Sequence, residues 1–313
     1  PWEVPVALAE FATPVINSVV LGSFVALMAL GLTLTFAVTR VLNIAHAEYV
    51  TMGAYTLTIA VNHWQWSVFP AVVLAVVVGA VTAVLTDALV FRPMIKRGAH
   101  FLYILVASIG VGMVLRHVVY LVADSLNWLS VKARVMVSPV WRIGYGTVTD
   151  LVLWVVPTAI VCAVALIFFL QRTRMGRSMR AVASNLMLAQ SSGVRVARTR
   201  LVAWLISGGL AGLAGALWAV YAPITPEMGW VILLRVVAAS ILGGLTGIGA
   251  TIGGAYIVGF GENLGIFVAR EWLGVPLEFR SIITFLIIIV VLLVRPAGLQ
   301  GLRLRFGRGK RGE

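Results

Sequence analysis

Residues 42–49, LNIAHAEY, bring an amide, an imidazole and a carboxylate (Asn43, His46 and Glu48) close together in a chain where only 11% of residues are Asp, Glu, Lys or Arg. A histidine beside a glutamate can relay a proton or bind a metal. Catalysis by such a pair, however, needs a nucleophile or a further ligand set, and none accompanies it. Two readings stay open: the segment lines or gates a path, or its hydrogen bonds fix helix packing at about 0.6–2 kcal/mol each. Read as a helix, Asn43 and His46 share a face, and Glu48 stands about 100° from His46. Glu262 and Asn263 are a second isolated polar group and mark either a cavity or the outer half of a span. Residues 241–259, ILGGLTGIGATIGGAYIVG, carry seven glycines, among them Gly243 and Gly244. Glycines at this density serve close helix packing or the broken helices that transporters use at binding sites.

The elements that must position these groups follow from composition. The sequence is 61% hydrophobic over 313 residues, with a mean hydropathy of +1.02, whereas soluble domains are about 25% charged. Apolar runs of 18 or more residues recur along it, each sufficient to cross about 30 Å of hydrocarbon as a helix. The ~10-residue alternation of a membrane β-barrel is absent. The expected fold is therefore an all-α polytopic transmembrane bundle. Spans are predicted over 10–38, 41–61, 69–91, 101–122, 151–170, 201–221 and 279–294, with a Gly-rich region from Trp230 to Ala269. That region begins with a piece too short for a full crossing before GGLTGIG, so a broken or re-entrant helix is expected there, and the total is eight or nine. The single Cys162 excludes disulfides within the chain and Cys-based metal sites. The sequence calls for no cofactor.

Charge orients the bundle. Arg40, the cluster of Arg92, Lys96 and Arg97, seven arginines between Arg172 and Arg200, and six basic residues from Arg295 to Arg311 hold 17 of the 24 cations. All fall on one side if the spans alternate, and that side is the cytoplasmic one. Trp2, Trp64, Trp66, Trp128, Trp141, Trp218, Trp230 and Trp272 fall in or beside the opposite loops, as an interfacial belt requires. An outside N-terminus, a cytoplasmic C-terminus and a basic cytoplasmic tail over 300–313 are predicted, with residues 1–299 as the membrane domain. The net charge of +13 is spread as span flanks rather than presented on a soluble fold, which argues against nucleic acid.

The segment 172–200, RTRMGRSMRAVASNLMLAQSSGVRVARTR, has seven arginines and no carboxylate. Its middle has helical composition, with an apolar stripe at Met179, Val182, Leu186 and Ala189, Arg180 beside it, and Gly193 where a helix stops. A short amphipathic helix of this kind either lies on anionic lipid or docks into a cytosolic partner.

Several stretches resemble, in order and spacing, the permeases of ABC importers of the high-affinity branched-chain amino-acid type: GSFVALMALGLTLTF, LNIAHAEYVTMGAY, TRMGRSMRA, GGLAGLAGALWA, ITPEMG and SILGGLTGIGATIGGAYIVG. The likeness runs from Asn17 to Gly298 and is to the shorter of that family's two permease subunits. It implies that the 172–200 loop holds a coupling helix seated in an ATPase groove, with Met179, Arg180, Val182, Leu186, Ala189 and Gly193 as its coupling residues. The family's Glu-Ala-Ala-x-x-x-Gly pattern is reduced here to Ala189 and Gly193. The likeness also favours Asn43, His46, Glu48, Gly243, Gly244 and Glu262 as pathway or gate residues, although Ala47 stands where the family usually has Gly. The implied partners are a second permease subunit, two cytosolic ATPase subunits, an extracytoplasmic solute-binding protein and the lipid bilayer of a prokaryotic cytoplasmic membrane. Family members also carry urea, short amides or aromatic acids.

No G-x-x-x-x-G-K-[ST] stretch occurs, and none of the three lysines, Lys96, Lys132 and Lys310, lies in a phosphate-binding loop context. The expectation is a transport subunit that is not itself an enzyme. The alternative is a secondary transporter or channel in which Glu48, Asp87 and Glu262 carry protons or cations without ATPase subunits.

Overall fold

A backbone in hydrocarbon must satisfy its own hydrogen bonds, and most of the described residues do so as helix. The computed structural model describes residues 6–143, 146–294 and 299. In chain order the elements are α1 (Val6–Thr39), α2 (His46–Asn62), α3 (Val68–Thr86), α4 (Arg92–Lys96), α5 (Phe101–Ser125), β1 (Pro139–Ile143), β2 (Gly146–Thr149), α6 (Asp150–Arg172), α7 (Arg174–Ser184), α8 (Leu186–Ser191), α9 (Val196–Tyr221), α10 (Met228–Leu242), α11 (Ile248–Leu273) and α12 (Arg280–Val294). A π turn over Asp87–Phe91 carries α3 into α4 without a break. The basic cluster from Arg295 onward and the tail over 300–313 lie outside the described residues.

Among the described residues six helices are long and apolar enough to cross a membrane: Phe11–Thr39, Val68–Lys96, Phe101–Ser125, Asp150–Arg172, Val196–Tyr221 and Ile248–Leu273. Three apolar helices are shorter than the expected eight or nine spans require: α2 with 17 residues, and α10 and α12 with 15 each. For α2 the reason is local. Arg40 takes a left-handed conformation at φ 58°, and the chain regains helix only at His46, five residues beyond the expected start. A second departure from the all-α expectation is the antiparallel pair β1–β2, with a bulge between Pro139 and Trp141.

The chain divides into two compact units. Unit 1 comprises residues 1–29, 136–161 and 234–313, and unit 2 comprises 30–135 and 162–233; α1, α6 and α10 contribute residues to both.

In unit 2, α2 is almost wholly buried and packs against α3, α9 and α5. Gly212 of α9 is a point of close approach to both α2 and α3. A Cβ on Gly53 of α2 would sit 2.5 Å from the Gly212 Cα, and one on Gly79 of α3 would sit 2.9 Å from it. The GGLAGLAGALWA stripe therefore lets two helices cross a third at backbone distance, where dispersion and not hydrophobic transfer holds membrane helices together. On the far side of α3, Val73, Val77, Val81, Leu85 and Leu89 form an exposed stripe at spacing four, a surface that belongs in hydrocarbon.

Unit 2 is also polar along its length. At one end Arg40 Nη2 donates to the Ala183 carbonyl at 2.7 Å, and Arg92, Arg198 and Arg200 line one recess. At the opposite end of α2, Asn62 donates to the Lys132 carbonyl at 3.0 Å and accepts from the Arg134 amide at 2.8 Å, and the Trp64 and Trp66 rings lie 5.4 Å apart.

In unit 1, α1 and α11 cross where a Cβ on Gly259 would sit 2.9 Å from the Gly22 Cα. The Ser23 and Tyr256 hydroxyls meet there at 3.0 Å. Asp150, opening α6, accepts from the Ser138 amide at 3.1 Å, which ties the hairpin to the helix start.

Candidate functional site

The LNIAHAEY residues do not share one helix face. Asn43 lies before α2, and its carbonyl oxygen accepts from the His46 amide at 3.2 Å as the chain turns into the helix. Its side-chain amide donates to the Tyr49 hydroxyl at 3.0 Å. His46, the first residue of α2, places Nδ1 3.4 Å from the Ser207 hydroxyl of α9. Glu48 points elsewhere, to α5. The three side chains thus engage three different neighbours: Asn43 ties the lead-in turn to α2 itself, His46 faces α9 and Glu48 faces α5.

Glu48 is 2% exposed and pairs with Arg116 of α5. Arg116 donates to the same carboxylate oxygen, Oε1, from Nε at 3.1 Å and from Nη2 at 2.6 Å. The other oxygen, Oε2, is buried and has no hydrogen-bond partner. The guanidinium lies over the Trp230 ring, 5.1 Å from its centroid, an arrangement favourable to a cation. These groups line a recess of about 180 Å³ together with Ile44, Ile109, Gly112 and Met113. Ile109, Gly112, Met113 and Arg116 fall at i, i+3, i+4 and i+7 of α5, so one helix face supplies both the apolar floor and the cation.

Glu262 of α11 is buried completely and fully engaged. Arg235 Nε donates to both its oxygens, at 3.0 and 2.8 Å, and Arg235 Nη2 donates to Oε1 at 2.6 Å. Thr284 of α12 adds a bond to Oε2 at 3.3 Å, and Arg280 Nε lies 3.7 Å from Oε1. Arg280 also donates to the Asn263 side chain. Glu262 thus joins α10, α11 and α12, while Asn263 and Arg280 also line a recess together with Asn17 of α1.

Gly243 and Gly244 form the break expected in the Gly-rich region. α10 stops at Leu242, and Gly244 and Leu245 turn the chain at φ 80° and 59° before α11 begins at Ile248. A Cβ on Gly243 would sit 2.6 Å from the Thr251 Cα, so this glycine also serves close packing. Glu262 stands 14 residues into α11, about 21 Å along its axis, and is not part of that turn. Asn43, His46 and Glu48 belong to unit 2; Gly243, Gly244 and Glu262 belong to unit 1.

A third acid, Asp87 in the π turn, is held by Arg200 of α9, whose Nε lies 2.8 and 3.0 Å from its two oxygens. The π turn and the basic loop are thereby joined.

The 172–200 segment differs from the single amphipathic helix expected of it. Thr173 caps α7 by accepting from the Gly176 amide at 2.9 Å, and Asn185 caps α8 by accepting from the Leu188 amide at 3.0 Å. Between them the backbone of Asn185 is extended, which rotates the second helix out of register with the first. Met179, Val182 and Ala189 are buried, while Arg180 and Leu186 are exposed. The most exposed apolar residues are Met187 at 82% and Leu188 at 64%, neither of them on the expected stripe. Gly193 follows α8 at φ 79°, where it closes the helix.

Sequence reading did not pair the acids with their arginines. Arg116, Arg235 and Arg200 stand 68, 27 and 113 residues from the acids they pair with. The only signal for them was that an arginine inside a span needs an anion.

Residues 15–292 match the family described as the permease component of the branched-chain amino acid transport system. The chain is 30% identical to a probable branched-chain amino acid transport permease protein LivH of Methanocaldococcus jannaschii over 290 residues, 91% of each chain. It is 28% identical to the high-affinity branched-chain amino acid transport system permease protein LivH of Escherichia coli K12 over 93% of this chain and 96% of the relative. To BraD of Pseudomonas aeruginosa, with the same description, it is 26% identical over the same shares. No solved structure matches it. A match over nearly the whole of an apolar, helical chain leaves one conclusion, that this protein belongs to the branched-chain amino acid transport permease family.

Proposed function

We propose that this chain is a permease subunit of an ATP-driven importer that carries branched-chain amino acids across a prokaryotic cytoplasmic membrane. The observation that carries the reading is the extent of the family match, residues 15–292, on a chain whose helices expose apolar stripes. A second permease subunit completes the path, an extracytoplasmic binding protein delivers the solute, and two cytosolic ATPase subunits drive the cycle.

The N-terminus lies outside and the C-terminus in the cytoplasm, with α2, α10 and α12 crossing alongside the six longer helices. The gathering of Arg40, Arg92, Arg198 and Arg200 at one end of unit 2 supports this orientation, because clustered cations stay on the cytoplasmic side. At that end the ATPase presses on the exposed α8 face, Leu186 with Met187 and Leu188, beside Arg180. Met179, Val182 and Ala189 hold the loop to its own unit, and Gly193 sets its exit. The secondary-transporter reading loses support at Glu48, Asp87 and Glu262, because each is paired with an arginine.

The test is ATP-driven uptake of labelled L-leucine into proteoliposomes holding this chain with its partner subunits and binding protein. Uptake by this chain alone would overturn the reading. Met187→Glu, at a fully solvated position, is expected to leave assembly intact and abolish uptake; full uptake in that variant would remove the ATPase from α8.

A further inference from the structure

We infer that the basic end of unit 2, between α4 and the start of α9, binds the headgroup of an anionic phospholipid whose acyl chains lie along the exposed face of α3. The ligand is a phosphate ester carrying hydrocarbon chains, and its source is the surrounding bilayer. The inference is independent of the transported solute and needs only the membrane setting of the chain.

Two adjoining recesses make the site. One, of about 480 Å³, is lined by Ala88, Arg92, Pro93, Lys96 and Arg97. The other, of about 250 Å³, shares Ala88 and Arg92 with it and adds Asp87, Arg198 and Arg200. Asp87 is the carboxylate among them, and Arg200 already meets both of its oxygens. Arg92, Lys96, Arg97 and Arg198 are exposed, and none of them belongs to an ion pair among the described residues. Like charges gathered in this way repel one another until an anion enters between them. Arg92 and Lys96 stand at i and i+4 on the continuous helix Val68–Lys96. Together they offer a phosphate a planar fork of donors and a point charge. Phe91, which ends the π turn, is fully buried and stacks on Trp204 of α9 at 5.5 Å between ring centroids, so the backbone that carries Arg92 is fixed to α9.

What lies beside the cations decides between a lipid and a soluble anion. On the same helix Val73, Val77, Val81, Leu85 and Leu89 are exposed, and the stripe ends three residues before Arg92. From Val73 to Leu89 it runs about 24 Å, more than the roughly 15 Å of hydrocarbon in one leaflet. α9 repeats the order in the opposite chain direction: Arg198 comes first, and Leu201 and Leu205 follow, also exposed. Both helices therefore set cations at their ends and open apolar surface next to them. A free phosphate uses the charges alone. A phospholipid uses both surfaces, because its anionic head stays at the interface while its chains need apolar surface beside it, and basic recesses between helices on the cytoplasmic side suit such headgroups.

The experiment uses the assembled transporter, permeases with ATPase subunits, purified in a neutral detergent, and reads the shift of its melting temperature as lipid is added to the micelles. Phosphatidylglycerol is expected to raise the midpoint in a concentration-dependent way; phosphatidylcholine, inorganic phosphate and glycerol 3-phosphate are expected not to. Arg92→Gln, Lys96→Gln and Arg97→Gln together are expected to require roughly a hundred-fold more phosphatidylglycerol for the same shift, about five-fold for each cation. Arg172→Gln, Arg174→Gln and Arg177→Gln remove as many charges at the start of the basic loop and are expected to keep the wild-type response. Leu89→Ser keeps every cation and alters a residue that is 71% exposed, so it tests the site even if the first triple variant does not assemble; it is expected to need several-fold more lipid. The site is overturned if the two triple variants respond alike, since net charge alone would then attract the lipid, or if Leu89→Ser responds as the wild type does. It is also overturned if phosphatidylcholine or inorganic phosphate shifts the midpoint as far as phosphatidylglycerol. A folded Arg92, Lys96 and Arg97 variant that purifies without its ATPase subunits would show that these cations meet protein, and would overturn the lipid as their partner.

Discussion

Two glutamates lie deep in this chain, each bound to an arginine, yet they are held differently. Glu262 in unit 1 takes three bonds from Arg235 across both oxygens and a fourth from Thr284. Glu48 in unit 2 takes both of its Arg116 bonds on one oxygen, and the other is buried and receives none from Arg116. A buried charge is tolerable when its lone pairs are used, and each one left unused is a cost that folding must cover elsewhere. Glu262 is therefore the more completely satisfied of the two acids, and Glu48 is the one whose pairing rests on a single oxygen. The largest expected effect follows. Glu262→Gln leaves Arg235 charged and desolvated, which costs about 3–5 kcal/mol, and the detergent-purified protein is expected to lose most of its folded yield by size-exclusion chromatography. Glu262→Gln combined with Arg235→Gln removes the unpaired charge and is expected to recover much of that yield. No recovery would mean that Arg280 and Thr284 carry the clamp.

Glu48→Gln is expected to cost less, about 1–3 kcal/mol, because Arg116 keeps its contact with Trp230 and 18% of its side-chain surface. The comparison sharpens if this variant assembles near wild-type yield and loses leucine uptake, and it breaks if Glu48→Gln is as destabilised as Glu262→Gln. Thr284→Val is smaller still. It removes one bond of 3.3 Å from an acid that keeps Arg235, so a loss of about 0.5–1.5 kcal/mol in melting stability is expected with uptake unchanged.

How much of this was legible in the sequence divides along the same line. Long spans, the membrane setting and the acids themselves stand out, because an apolar run or an intramembrane carboxylate is a local signal. The small-residue spacing of GGLAGLAGALWA is likewise a local packing signal, and Gly212 sits at a helix crossing. Pairings were invisible, since nothing in the neighbourhood of Glu48 names Arg116, 68 residues away. The loop was misread for a local reason. Met179, Val182, Leu186 and Ala189 satisfy helical periodicity through Asn185, but Asn is a strong N-cap, and its side chain ends one helix and starts another. Periodicity won over capping chemistry, which moved the exposed apolar face to Met187 and Leu188. The hairpin was missed in the same way: PVWRI and GTVT are short strands overshadowed by the spans on either side.

The smallest effect tests the comparison most closely. Arg235 is fixed by a carboxylate that meets it on both oxygens, so its position needs no further support. Arg116 meets one oxygen only, and the face of Trp230 takes over part of the work of holding the guanidinium over the recess. A cation over an indole that is itself half exposed contributes about 0.5–1 kcal/mol, so Trp230→Leu is expected to lower melting stability by no more than that. Trp230→Phe keeps a π face and is expected to melt near the wild-type midpoint, whereas Trp230→Leu is expected to show the full loss. If Leu and Phe melt alike, the ring only fills space, and Glu48 and Glu262 differ in hydrogen-bond count alone.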